Sequence, residues 1–194
     1  MIYESRFRRV AWAVVLAEVA AALGLAVYLA VTDKRLVLGF EVPGPEPAEE
    51  PGMIVPVAGV RVEELRDTYG AARSGGRTHE GLDILAPRGT PVLAAAAATV
   101  VRVDSNAVAG RAVYLRGTDG RTIHFYGHLD RFRAGLKAGD LLRQGDTLGY
   151  VGDSGNAPEG VYHLHFSVYT VTDPNRWWRG RPINPYTLLA DSAR

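Results

Sequence analysis

The chain has 194 residues and a formal net charge of +1, with 22 lysines and arginines against 21 aspartates and glutamates. This balance excludes the strongly basic surface that is typical of nucleic-acid-binding proteins. The chain contains no cysteine, which excludes disulfides, thiolate metal sites, a cysteine nucleophile and a lipidated N-terminal cysteine. Any metal site must therefore use nitrogen and oxygen ligands.

The first predicted element is an apolar segment of 22 residues, 10–31, that contains a single charge at Glu18. About 20 such residues are enough to cross a bilayer as a helix. The charge costs roughly 2.5–3.5 kcal/mol near the midplane, whereas the leucines and valines of the segment contribute about −3 to −6 kcal/mol together. Insertion is therefore favourable, and an uncleaved transmembrane anchor is predicted.

Basic residues on either side of this segment predict its orientation. Arg6, Arg8 and Arg9 precede it, and Lys34 and Arg35 follow it, so the positive-inside rule places residues 1–9 in the cytoplasm. The alternative is a cleaved signal peptide, with a small-x-small cleavage site at residues 24–26. A buried helix of a soluble domain fits poorly because apolar residues occur on every face.

The next segment has the composition of a linker. Residues 43–52 read PGPEPAEEPG, and this mixture of proline and glutamate predicts an extended, solvated chain. Residues 32–52 are therefore predicted to form an acidic stalk. Residues 53–190 then form one domain of about 140 residues, a usual domain size, and residues 191–194 a short tail.

Residues 53–190 consist of short apolar or alternating runs separated by Gly, Pro and Asp, which predicts a mainly β domain. The Asp-Gly pair at 119–120 lies between two alternating runs and predicts a β-hairpin. The five alanines at 94–98 are assigned to a strand, because Pro91 precedes them and TVVRV follows. A short helix is predicted at residues 63–69, and a terminal turn at residues 186–190.

Four of the five histidines fall in patterns typical of a metal site. His79 stands four residues before Asp83 in HEGLD, and His128 lies in FYGHL. His163 and His165 are separated by one residue in YHLHFSV. Alternation along a strand places His163 and His165 on one face. Imidazoles with one carboxylate are the ligand set of a catalytic zinc, which keeps three protein ligands and one position for water. The four histidines in these patterns are therefore two more than a site with one carboxylate needs.

The motifs RTHEGLDILAPRGTPVLA, FYGHLD, GDTLGYVGDSGNA and HLHF follow one another in the chain. In this order they resemble the zinc metalloendopeptidases of the lysostaphin and LytM type, which cut peptide bonds in peptidoglycan. The resemblance covers almost all of residues 53–190. It implies a mainly β fold, an antiparallel β-sandwich or barrel-sandwich hybrid (the duplicated hybrid motif) with one or two short helices, preceded here by the predicted transmembrane helix.

By matching motif positions, the resemblance implies that His79, Asp83 and His165 bind one Zn²⁺, while His128 and His163 are catalytic. It also implies that the substrate is a peptidoglycan peptide and that cell-wall regulators are candidate partners. With the predicted anchor, the chain becomes a single-pass protein of the bacterial cytoplasmic membrane whose domain faces the periplasm or cell wall. The alternative is secretion after signal cleavage.

Three further residues are candidates for the walls of a substrate groove. His124 alternates onto the same side as His128, and a structural histidine is the alternative interpretation. Tyr126 lies between them and is either a core aromatic or part of the groove wall. Asn156 lies in GDSGNA, where a turn is the simpler interpretation because Asn and Gly adopt left-handed backbone conformations. The Trp-Trp-Arg run at 177–179 is compatible with a substrate contact or with a packed loop.

Two other classes of function remain open from the sequence. Some relatives of this family have lost their metal ligands and activate cell-wall amidases by binding, but every ligand position is filled here. The second class is a lipoyl-like carrier, which needs a lysine at a hairpin tip. Lys137 is the lysine that residues 53–190 offer, and the carrier interpretation leaves the histidines without a role.

Overall fold

The structure, a computed structural model, describes residues 36–37, 40–41, 52–173 and 176–192. The chain divides into two compact units, Met1–Glu50 and Pro51–Arg194. In the first unit, strands β1 (Leu36–Val37) and β2 (Phe40–Glu41) pair antiparallel within the segment predicted to be a stalk. The predicted cytoplasmic segment 1–9 and transmembrane segment 10–31 lie outside the described residues. In the part that is described, no helix has the length and apolar character needed to cross a membrane.

The second unit contains one antiparallel sheet of nine strands, whose order is β11-β10-β7-β6-β5-β8. Strand β3 also pairs with β10, and β9 pairs with both β4 and β7. The strands are β3 (Leu82–Leu85), β4 (Pro91–Leu93), β5 (Ala98–Asn106), β6 (Gly110–Gly117), β7 (Thr122–Phe132), β8 (Leu141–Leu142), β9 (Thr147–Val151), β10 (His163–Thr170) and β11 (Arg181–Ile183). The prediction of a mainly β, antiparallel domain is confirmed.

The sheet buries one side of its strands in a single apolar core. Leu82 and Ile84 of β3 and Phe166 of β10 belong to this core, together with Leu115 of β6 and Leu148 of β9. Burial of such side chains contributes about 1.5–3 kcal/mol each. Because successive side chains of a strand point to opposite faces, the residues between these core positions face the other side of the sheet.

The hairpin predicted at the Asp-Gly pair is present between β6 and β7. Asp119 Oδ1 accepts hydrogen bonds from the backbone N–H groups of Arg121 and Thr122, at 2.9 and 2.8 Å. Gly120 has a φ of 68°, a conformation that glycine adopts without steric cost. This turn sets the register of β7, the strand that carries His124 and His128.

Two local predictions are wrong. Residues 63–69 form only a 3₁₀ turn at Val62–Glu64, after which Leu65 is extended and Asp67 Oδ1 accepts the N–H of Tyr69, a local bond that competes with helix formation. Of the alanines at 94–98, only Ala98 lies in a strand. Ala94 N–H instead donates to the carbonyl of Asp146 at 2.9 Å. The terminal turn predicted at 186–190 is part of a longer helix, α1 (Pro185–Ser192).

Candidate metal centre and groove

A groove of about 1020 Å³ runs over the face of the sheet opposite the core. Its floor consists of side chains that alternate with core positions, including Asp83 and Leu85 of β3 and His165 and Tyr169 of β10. Register explains why two of these residues meet, because antiparallel pairing of β3 with β10 sets His165 directly opposite Asp83. Asp83 and His165, which are 82 positions apart in the chain, are therefore neighbours on the groove floor.

Three potential ligand atoms converge there. Nε2 of His79 lies 3.0 Å from Nδ1 of His165 and 3.1 Å from Oδ1 of Asp83. Nδ1 of His165 lies 3.0 Å from the same Oδ1. Among the residues that the structure describes, this is the one group of three side chains arranged to hold a metal ion.

Neighbouring groups fix which nitrogen of each imidazole points into the cluster. Nδ1 of His79 lies 2.7 Å from the carbonyl oxygen of Thr68, which can only accept, so Nδ1 carries the proton and Nε2 presents its lone pair. Nε2 of His165 lies 2.9 Å from Oγ of Ser167, which leaves Nδ1 directed at the cluster. Such outer hydrogen bonds are the usual support of metal-binding histidines.

The glycine of the HEGLD motif leaves room for this arrangement. A Cβ atom at Gly81 would lie 2.8 Å from Nε2 of His165 and 2.5 Å from Oγ of Ser167. Any side chain at this position would therefore displace His165 or break its bond to Ser167. This close packing explains why position 81, between His79 and Asp83, is occupied by glycine.

The charge state of Asp83 suits a cation. Burial by itself would raise the pKa of Asp83, but its contacts with His165, His79 and Arg73 outweigh burial and hold the pKa well below the ordinary value. Burial also lowers the pKa of His165, against the opposing effect of Asp83. An ionised carboxylate and two imidazole lone pairs are therefore brought together, and a cation satisfies all three.

The spacing of these atoms fits zinc. Tetrahedral ligands at about 2.0–2.2 Å from zinc lie roughly 3.3–3.6 Å apart, only a few tenths of an ångström more than the 3.0–3.1 Å separations of His79, Asp83 and His165. Nitrogen and oxygen donors in this number are those of catalytic zinc sites. The residues present therefore fit the ion that the sequence motifs imply.

The two remaining groove histidines lie beside the cluster. The rings of His128 and His163 are 5.0 Å apart, and Nε2 of His163 lies 3.9 Å from Oδ1 of Asp83. Nδ1 of His128 donates to the carbonyl of Ser154 at 2.8 Å, and Nδ1 of His163 to that of Val161 at 2.9 Å. In the neutral imidazoles both Nε2 atoms therefore have free lone pairs. Burial lowers the pKa of His128 to about 4, although the Ser154 carbonyl opposes the shift.

His128 reaches the groove because β7 is irregular at this point. Its φ is 60°, and among the described residues other than glycine it alone has a positive value. The pairing of β7 with β9 shifts register between Leu129 and Arg131. A left-handed residue of this kind costs about 1–3 kcal/mol and is typical of functional sites. It interrupts the alternation, so His128 leaves the face on which His124 and Tyr126 lie.

The prediction that His124 and Tyr126 line the groove is therefore wrong. Both are almost fully buried on the core side of the sheet, where their rings lie 6.5 and 5.2 Å from that of Phe166. The hydroxyl of Tyr126 accepts the N–H of Ala95 at 2.9 Å. Burial lowers the pKa of His124 to about 4, so its imidazole is neutral in the core at physiological pH.

The third groove candidate, Asn156, does line the groove, and its backbone N–H donates to the carbonyl of Val108 at 3.1 Å. In the loop at 177–179, the ring of Trp177 lies 5.2 Å from that of Tyr114, whereas Trp178 is 63% exposed. Trp177 is therefore packed against the sheet, whereas Trp178 lies on the surface.

Sequence reasoning missed the residues that support the ligands. Thr68 is hydrogen-bonded to His79, Arg73 to Asp83, and Ser167 to His165. None of these three supporting residues matches a spacing rule for metal ligands. Phe125 was also missed, although its ring packs edge-on 5.8 Å from that of His165. The sequence signal for Phe125 is its place in an alternating run, on the strand that pairs with the strand of the HxH motif.

Comparison with known proteins gives a family model and a related enzyme that match this chain in sequence. The family model described as Peptidase family M23 matches residues 77–185, more than half of the chain. The L-Ala–D-Glu endopeptidase of Bacillus subtilis is 34% identical over 131 residues, which cover 64% of this chain. The chain spans only 39% of the length of that relative.

Two solved structures share the fold. The catalytic domain of the prophage-encoded M23 protein EnpA from Enterococcus faecalis is 31% identical, with a TM-score of 0.51 over 62% of this chain and 87% of that one. The antimicrobial peptidase lysostaphin from Staphylococcus simulans is 25% identical, with a TM-score of 0.53 over 68% of this chain and 52% of that one.

Proposed function

The chain belongs to peptidase family M23, as its motifs indicated, and from this membership we propose that it is a zinc-dependent endopeptidase. Its substrate in this proposal is the peptide part of bacterial peptidoglycan, either a cross-link or a stem peptide. The observation that carries the proposal is the complete cluster of His79, Asp83 and His165 at the bottom of an open groove. An intact cluster also argues against the alternative of a regulator that has lost its ligands.

A bound zinc ion lowers the pKa of a coordinated water to about 7 and polarises a carbonyl group. The side chains beside the cluster supply the proton transfers. Nε2 of His128 and Nε2 of His163 have free lone pairs, because each Nδ1 is committed to a backbone carbonyl. One of these imidazoles accepts the proton of the attacking water and passes it to the leaving amine. The other, once protonated, donates a hydrogen bond to the oxyanion that forms on the scissile carbonyl.

The experiment that tests this function is digestion of defined muropeptides by the purified chain, with the new termini identified by mass. We expect cleavage of a peptide bond, loss of cleavage when a chelator removes the metal, and recovery when zinc is added back. Intact muropeptides after incubation with the zinc-loaded chain would contradict the proposal. The masses of the products also identify the bond that is cut.

We further propose that residues 10–31 are an uncleaved anchor in the cytoplasmic membrane, with the domain on the cell-wall side. The apolar length of the segment and the arginines before it support this placement. A stalk of about 20 residues then limits the enzyme to peptidoglycan near the membrane. Mass spectrometry of the protein from cells should give the full-length mass, and an N-terminus near Val27 would show signal cleavage instead.

A further inference from the structure

The segment between Asp67 and Glu80 folds back on itself beside the metal cluster. Ala72 forms an isolated bridge with Thr78, and the N–H of Arg73 donates to the carbonyl of Arg77 at 2.9 Å. The segment is also tied to the end of the sheet, because Nδ2 of Asn184 donates to Oδ2 of Asp67 at 3.0 Å. These bonds give the segment a defined position relative to β3.

From this position the segment contacts two of the three ligand residues. The carbonyl of Thr68 accepts a hydrogen bond from Nδ1 of His79. Oγ1 of Thr68 accepts a hydrogen bond from the backbone N–H of Asp83 at 3.1 Å. The guanidinium of Arg73 donates to Oδ2 of Asp83. The two oxygens of the Asp83 carboxylate are thus divided, with Oδ2 bound to Arg73 and Oδ1 directed at His79 and His165.

This division affects how a carboxylate can hold a metal ion. A free carboxylate binds a cation through one oxygen or through both, and a second oxygen would occupy the position that a catalytic site keeps open for water. A charge-assisted bond from a guanidinium to Oδ2 opposes the second mode. The side chain of Asp83 is only 18% exposed, so water competes weakly for Oδ2, whereas Arg73 is 42% exposed and remains in the groove wall.

We propose that Arg73 is a positioning residue that makes Asp83 present Oδ1 alone to the metal. This inference rests on the proposed zinc site and adds to it a residue that touches neither metal nor substrate in this role. Its consequence is that zinc affinity and coordination number depend on a side chain ten positions before the ligand. Outer-shell partners of this kind typically contribute 10–100-fold in metal affinity.

The test is the zinc affinity of the full-length chain, measured by competition with a chromophoric chelator. Arg73→Met should bind zinc about 10–100-fold more weakly than the unmodified chain. Arg73→Lys should fall between the two, because an ammonium retains the charge but lacks the planar fork of donors. Arg88→Met is the matched control, since Arg88 pairs with Asp130 at 2.5 Å in a comparable arginine–aspartate contact. Its zinc affinity should equal that of the unmodified chain.

A spectroscopic measurement distinguishes positioning from a general loss of stability. With Co²⁺ as the bound ion, the visible absorption of the unmodified chain should be the intense band of a four-coordinate site. In Arg73→Met the band should weaken, because Oδ2 becomes free to bind and the coordination number rises.

The outcomes separate this inference from the proposed function. Equal or tighter zinc binding by Arg73→Met, with an unchanged cobalt spectrum, would overturn the role of Arg73 and leave the zinc site standing. If Arg73→Met does not fold, Arg73→Lys decides, and an affinity and spectrum equal to those of the unmodified chain would overturn the inference. Failure of the unmodified chain to bind zinc would overturn the proposed function and this inference together.

Discussion

Asp83→Ala should leave the purified chain without stoichiometric zinc, whereas the unmodified chain should carry about one equivalent. The substitution removes the anionic donor from the cluster and leaves two neutral imidazoles facing the positive guanidinium of Arg73. The loss of affinity should exceed the 10–100-fold that is typical of outer-shell changes. Elemental analysis after dialysis against a weak chelator measures this directly.

Asp130→Ala is the matched control, because Asp130 also pairs with arginines and is similarly shielded, yet contributes no atom to the metal cluster. It should retain its zinc. A full complement of zinc in Asp83→Ala would remove Asp83 from the ligand set and with it the proposed site.

The meeting of His79, Asp83 and His165 could be expected from sequence only through the order of the motifs. Spacing alone predicts that His163 and His165 share a face, which the structure shows. What brings His165 to Asp83 is the antiparallel register of β10 with β3, and no local pattern determines a pairing between strands so far apart in the chain. Their role as zinc ligands stays a prediction that the Asp83 variant tests.

The prediction that His124 and His128 lie on the same face of β7 is wrong for a specific physical reason. Strict alternation along β7 places both side chains on one face, and that is correct for His124 and Tyr126. A single left-handed residue at His128 then reverses the face. Positive φ is uncommon for residues other than glycine. Gly127, directly before His128, is a local signal for a bulge in this strand, but it does not indicate to which face the next side chain turns.

The supporting residues were unpredictable for a different reason. Thr68 and Arg73 act through a backbone carbonyl and a guanidinium that reach the ligands only after the segment 67–80 has folded back. The helix predicted at 63–69 would have carried Thr68 away from this position. Leu65 is buried in the core, and Asp67 accepts a hydrogen bond from the backbone N–H of Tyr69. These two interactions outweigh the helical propensity of residues 63–69.

His128→Ala and His163→Ala should each retain about one equivalent of zinc and the native fold but lose roughly 100-fold or more in cleavage rate. Neither side chain contributes an atom to the three-ligand cluster, so its removal leaves the metal in place. Each substitution removes an Nε2 that either accepts and passes on a proton or, once protonated, donates a hydrogen bond to the oxyanion. Initial rates on a defined muropeptide, together with zinc analysis of the same samples, measure both quantities. His124→Gln, the matched histidine on the core side of the sheet, should retain its zinc and most of its activity.

The double variant His128→Ala/His163→Ala should be little slower than either single variant. The two rings lie 5.0 Å apart, and Nε2 of His163 lies 3.9 Å from Oδ1 of Asp83. Proton transfer and oxyanion stabilisation act on the same tetrahedral intermediate. Residues that act as a unit give strongly non-additive losses, because the first substitution already disables the step that the second would affect. Multiplicative losses would mean that the histidines act in separate steps. Loss of zinc from His128→Ala with retention in His165→Ala would exchange the catalytic and ligand roles assigned to these two residues.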